Sequence, residues 1–156
     1  HLSIRRQRQM CIRDRIIQSK VAIGSGGIWG KGFLEGTQTQ LRFLPAQHTD
    51  FIFSVIGEEW GFSGVLVVML LFALLLLYLI YLASLVRSKF ASLVIVGIAT
   101  VLFFHIVVNI GMTIGLAPVT GLPLPFISYG GSFLLSMFLM MGIIMNFSMN
   151  RYSHSV

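Results

Sequence analysis

Hydrophobic and polar positions divide this chain into a polar, glycine-rich first part and an apolar second part. From Gly61 to Val86 the sequence is almost continuously apolar and carries no charge. As a helix that run would be about 39 Å long at roughly 1.5 Å per residue, longer than the about 30 Å of bilayer hydrocarbon, so it spans with some tilt. A short basic turn, Arg87-Ser88-Lys89, is followed by a second uncharged run from Ala91 to about Leu116. Residues 117–126, APVTGLPLPF, contain three prolines and cannot be helical throughout. A third span is expected from Ile127 to about Phe147, ahead of a polar tail over 148–156. Before the spans, residues 16–60 form a long polar segment. IIQSKVAI at its start suits a short amphipathic helix, and the glycines that follow (24, 26, 27, 30, 32 and 36) argue for turns. The pattern predicts an all-α polytopic membrane protein, with three transmembrane helices after one long loop.

Composition strengthens that reading. Of the 156 residues, 56% are hydrophobic and only 10% charged, against roughly 25% charged in soluble domains. The mean hydropathy is +0.88. The net charge of +6 suggests an anionic partner until its position is considered: residues 1–15 hold five arginines and one acid, Asp14, and so four of the six net charges. That arm has no interleaved aromatics and no adjoining fold, which argues against nucleic acid. RRQRQMCIRDR reads as translated adaptor sequence and is set aside. It holds the single cysteine, Cys11, so neither a disulfide framework nor a thiolate metal site is expected.

The basic turn and Arg151 lie on one side of the membrane, and the uncharged proline segment lies on the other. The positive-inside tendency then places the turn and the C-terminus in the cytoplasm, and the glycine-rich and proline-rich segments outside. Three spans that begin from an outside loop imply a preceding span, so a longer chain is expected.

Several residues suit chemistry. His48-Thr49-Asp50 stands directly before FIFSVIGEEWGF. Asp50 is placed either to cap the following helix or to act as a general base at the membrane surface. Glu58 and Glu59 follow on the same helix, where they can pair with Arg42, hold a cation or sit at the membrane edge; no third metal ligand stands at a known spacing. His105 and Asn109 share a face of the second span, for interhelical hydrogen bonding or a polar pathway. Ser128-Tyr129-Gly130-Gly131-Ser132 opens the third span with small residues that allow close packing or leave room for a ligand. Gly24-Ser25-Gly26-Gly27 has the look of a phosphate cradle, without a Walker lysine or flanking strand.

QSKVAIGSGGIWGKGFLEGTQTQLRFLPAQHTDFIFSVIGEEWGF and PVTGLPLPFISYGGS, in that order, are similar to the signature stretches of the shape, elongation, division and sporulation (SEDS) family, over Ile17 to about Asn150. GTQTQLRFLP resembles the elongation branch. The resemblance implies the C-terminal part of a ten-span glycosyltransferase of the bacterial inner membrane, which polymerises lipid II into glycan strands outside the cytoplasm beside a class B penicillin-binding protein. It implies that Asp50 is catalytic, with His48, Thr49, Ser128, Tyr129 and Gly130 near substrate. Lys20, Lys31 and Arg42 are the loop cations available to a pyrophosphate, and surface charge is their other use. No cofactor follows with certainty, although a divalent cation suits the leaving group. Ala46 departs from the family pattern, where many relatives carry glutamate. A lipid-linked-precursor transporter, or a scaffold for the penicillin-binding protein, are the competing readings.

Overall fold

The computed structural model describes residues 17–32 and 51–149, and the described residues are helical with no strand. Residues 17–25 form α1; α2 is Ile52–Glu59, α3 Gly61–Leu85, α4 Lys89–Ile114 and α5 Gly131–Met149. The last three are long and apolar enough to cross a membrane. By length they reach about 38, 39 and 29 Å at 1.5 Å per residue.

Helix α3 is rich in leucine, which loses little rotamer freedom in a helix. It ends at Val86, whose extended backbone starts the basic turn. Helix α4 returns antiparallel and ends at Gly115, whose φ of 76° and the hydrogen bond from the Leu116 N–H to the Gly111 carbonyl (2.8 Å) make a Schellman cap. Between α3, α4 and α5 lies one apolar cluster built on Leu79, Leu82, Ile95, Leu102 and Met137. A second cluster, Phe53, Phe72, Ile106 and Leu124, ties α2 and the proline segment to α3 and α4. Outer faces stay apolar and exposed, among them Leu70, Leu74, Leu77, Phe103 and Leu139. Apolar surface that extensive belongs against lipid or further helices.

Helix boundaries differ from the sequence pattern in three places. The first span stops at Leu85 rather than Val86, and the second runs over Lys89–Ile114 instead of 91–116, because the turn needs only residues 86–88 and Gly115 ends the helix. The third helix starts at Gly131, four residues later than expected. Residues 125–127 form a turn, Phe126 has a φ of 63°, and the Ser128 N–H bonds back to the Leu124 carbonyl (3.1 Å). Ser128, Tyr129 and Gly130 are therefore a pre-helical turn rather than the first residues of the span.

The two ends of the bundle have different contents. At one end, Val119 of the proline segment packs on Ala22 of α1 and on Phe51, just before α2. At the other, Phe90 at the start of α4 meets Phe147 near the end of α5, edge to face at 6.3 Å. The glycine-rich and proline-rich segments thus share one end, and the basic turn lies at the opposite one.

Candidate active site

The site end is organised by backbone rather than by side chains. Every helix leaves its first N–H groups and its last carbonyls without intrahelical partners. Helices α2 and α3 meet at Trp60, where no side chain caps α3. Residues 26–32 supply the missing partners. The Lys31 and Gly32 N–H groups donate to the Glu58 and Glu59 carbonyls (3.1 and 3.2 Å), and the Phe62 and Ser63 N–H groups donate to the Gly27 and Ile28 carbonyls (2.9 and 3.2 Å). Backbone can approach backbone this closely only without side chains between. A Cβ at Gly26 would overlap the Gly57 carbonyl, one at Gly30 the Glu59 carbonyl, and one at Gly61 the Gly30 nitrogen. The glycine run that looked like a phosphate cradle is a clamp on the α2–α3 junction.

Helix α1 lies against this junction by its small residues. Ser19 and Ala22 are fully buried while the larger Ile17 and Val21 are half exposed, the reverse of an ordinary amphipathic helix. Ser19 Oγ lies 2.7 Å from Ser54 Oγ of α2 and donates to the Thr113 carbonyl of α4 (2.8 Å). Three helices are joined by one hydroxyl. Ser19 and Ala22 are three apart on one face, a small-residue spacing that sequence reasoning could have used and did not.

Glu58 is fully buried and its Oε1 lies 3.6 Å from Lys31 Nζ. The carboxylate reaches a lysine of the clamp, whereas Arg42, considered for it from sequence, lies outside the described residues. Among the described residues no three His, Cys, Asp or Glu side chains converge on a metal-sized site.

Asp50, His48, Thr49 and Arg42 also fall outside the described residues. The described chain resumes at Phe51. Phe51, next to Asp50, is 1% exposed in its contact with Ala22 and Val119, and it is Phe51 that occupies the N-cap of α2, with no side-chain capping bond. Ile52 then faces a cavity of about 640 Å³ whose other walls are Ile127, Ser128, Tyr129, Gly130, Gly131 and Leu134. The structure therefore joins the segment leaving Asp50 to Ser128, Tyr129 and Gly130, some 76 residues later. Ser128 is buried and Tyr129 largely exposed. Lys20 is an exposed residue of α1 and is not among the residues lining this cavity. Trp29, Trp60 and Phe62 are exposed at the same end, as aromatic residues are at a membrane–water boundary.

The polar pair of the second span is engaged in packing. Asn109 is buried and its Nδ2 donates to the Leu122 carbonyl at 2.7 Å, bracing the proline segment. His105 packs at a tilt against Phe133 of α5 with ring centroids 5.2 Å apart, and its Nδ1 is buried without a hydrogen-bond partner among the described residues.

The FtsW/RodA/SpoVE family model, described as a cell cycle protein, matches residues 14–153. Peptidoglycan glycosyltransferase MrdB of Escherichia coli K12 is 45% identical over 156 residues, covering 94% of this chain and 42% of that protein. RodA of Treponema pallidum, named a peptidoglycan glycosyltransferase, is 47% identical over 84% of this chain and 30% of its own length. Stage V sporulation protein E of Bacillus subtilis is 43% identical over 89% and 37%. A chain from a solved structure, described as "Structural coordination of polymerization and crosslinking by a peptidoglycan synthase complex", superposes with a TM-score of 0.71. It is 37% identical, over 86% of this chain and 37% of that one. This chain thus spans less than half the length of these relatives. By the family match and by the identity it shares with several members, the chain belongs to the FtsW/RodA/SpoVE family.

Proposed function

We propose that the whole protein is a membrane peptidoglycan glycosyltransferase that polymerises lipid II into glycan strands during cell elongation. The observation that carries the reading is the cavity shared by Ile52, two residues after Asp50, and residues Ser128–Gly131 that lead into α5. An apolar cavity at the membrane edge, with one wall two residues after Asp50 in the chain, suits a substrate with a polyprenyl tail and a sugar head. The similarity to MrdB and RodA, and the GTQTQLRFLP stretch, favour elongation over division.

In this mechanism the Asp50 carboxylate accepts the proton of the GlcNAc 4-hydroxyl on one lipid-linked sugar. That oxygen attacks C1 of MurNAc on the other, a new C1–O bond forms, and the C1–O bond to pyrophosphate breaks. Undecaprenyl pyrophosphate leaves with the electron pair, and cations of the loop offset the developing charge. Of the candidates Lys20, Lys31 and Arg42, Lys31 is paired with Glu58. His48 and Thr49 flank the acceptor, and Ser128, Tyr129 and Gly130 line the side of the cavity away from α2. A class B penicillin-binding protein crosslinks the product. The catalytic end faces outward and the basic turn lies in the cytoplasm of a bacterial inner membrane.

The test is lipid II polymerisation by the full-length protein reconstituted with its penicillin-binding protein. Asp50→Ala is expected to reduce strand formation by about 100-fold or more, the usual contribution of a general base, while His105→Ala keeps it. Equal activity of wild type and Asp50→Ala would remove Asp50 from the chemistry. No activity in either would shift the reading to transport or scaffolding, and loss with His105→Ala alone would favour transport.

A further inference from the structure

The end of the bundle away from the candidate site carries a second chemical feature. Arg87 and Lys89 line a cleft of about 400 Å³ between the end of α3 and the start of α4, together with Ser84, Ser92 and Leu93. Both cations are exposed. From Trp60 to Val156 the sequence contains no Asp or Glu. The described carboxylates, Glu58 and Glu59, stand just before α3, a helix of 25 residues, so they lie about 38 Å away along its axis. No described acid can reach this cleft. Its two hydroxyls already donate to backbone, Ser84 Oγ to the Tyr81 carbonyl (2.7 Å) and Ser92 Oγ to the Ala83 carbonyl (2.8 Å), which leaves Arg87 and Lys89 as the anion-binding groups of the cleft.

Apolar surface continues directly from the cations toward the membrane interior. Phe90 and Leu93, three apart on one face of α4, are 70% and 71% exposed. An anion bound by Arg87 and Lys89 would have hydrocarbon-compatible surface beneath it. A free phosphate has no use for that surface, and a phospholipid does.

We propose that this cleft binds the headgroup phosphate of an anionic diacyl phospholipid, with Arg87 and Lys89 donating to its oxygens and the acyl chains lying over Phe90 and Leu93. Arginine suits the task because its planar guanidinium can hold two phosphate oxygens at once.

Native mass spectrometry of the full-length protein, purified from bilayers of equal phosphatidylglycerol and phosphatidylcholine, tests the proposal. Wild type is expected to retain phosphatidylglycerol preferentially, and Arg87→Gln/Lys89→Gln to weaken that retention by about 30-fold, the effect of two basic residues at a lipid surface. Ser84→Phe, which fills the cleft but leaves both charges and hence the membrane orientation intact, is expected to bring retention down to the phosphatidylcholine level. Unchanged selectivity in the double variant would overturn the site. Full retention by Ser84→Phe would reduce it to diffuse charge attraction, and displacement of the lipid by millimolar inorganic phosphate would overturn the lipid assignment.

Discussion

Substituting Gly30 by alanine probes the clamp where close backbone approach and a positive φ coincide. Gly30 has a φ of 80°, and a Cβ there would overlap the Glu59 carbonyl oxygen and stand 2.7 Å from the Trp60 carbonyl carbon. Left-handed backbone costs alanine about 1–2 kcal/mol. Relieving the overlap moves the turn off the junction and sacrifices the two bonds from Lys31 and Gly32 to the Glu58 and Glu59 carbonyls, at about 1 kcal/mol each. The sum is about 3–4 kcal/mol of local stability, a few hundredfold in the local opening equilibrium. Two neighbouring glycines provide the scale. Gly27 also has a positive φ (57°) but open space around its Cβ, so Gly27→Ala should cost only the conformational part, about 1–2 kcal/mol. Gly24 has open space and an ordinary φ within α1, so Gly24→Ala should stabilise by up to about 1 kcal/mol. Hydrogen–deuterium exchange on peptides covering residues 26–32 and 58–63 of the full-length protein reads all three. If Gly30→Ala exchanges no faster than Gly24→Ala, close backbone approach does not hold the junction and the reasoning is wrong.

Ser19→Ala should lower stability by about 1–2 kcal/mol, since one hydroxyl serves both Ser54 and the Thr113 carbonyl; thermal unfolding of the detergent-solubilised protein measures it. Glu58→Gln should cost about 1–2 kcal/mol, less than a fully enclosed pair because Lys31 is 31% exposed, and the loss should persist at high salt because Glu58 is buried. Asn109→Leu should cost about 1 kcal/mol or less in the same assay, and should speed exchange in the proline segment by freeing the Leu122 carbonyl.

The three membrane helices were legible in the sequence because a span needs only an uninterrupted apolar run of sufficient length, and each run here is bounded by charge, glycine or proline. What pairs with what was not. From sequence, Arg42 was the cation considered for Glu58; the Lys31 that meets it is 27 residues away and arrives only when the clamp closes. The glycine run was ambiguous for a related reason: close approach to a ligand and close approach to another backbone both demand a missing Cβ, and only the folded chain says which one occurs. The late start of α5 turns on one residue, Phe126, held at a positive φ that its type does not advertise. Of the candidate site, Ser128-Tyr129-Gly130 were recognised by motif, whereas Ile52 and Leu134 were not, because an apolar cavity wall looks like any other apolar residue in a chain of this composition.

The clamp also has a consequence for chain length. Gly32 is bonded to the last residue of α2, and Phe51 stands at the first end of the same helix. Helix α2 has eight residues and is about 12 Å long. The chain positions on either side of the 18 residues from 33 to 50 are therefore pinned by a single short rod. For a segment closed in this way, the entropic penalty of lengthening grows only logarithmically, and doubling it adds about 0.6 kcal/mol. The ring is closed by α2 and the clamp, whatever lies inside it. An epitope or a small reporter domain inserted after Phe33, upstream of the HTD motif, should thus leave the helical bundle standing, which makes that position a natural port for labelling this family member in living cells.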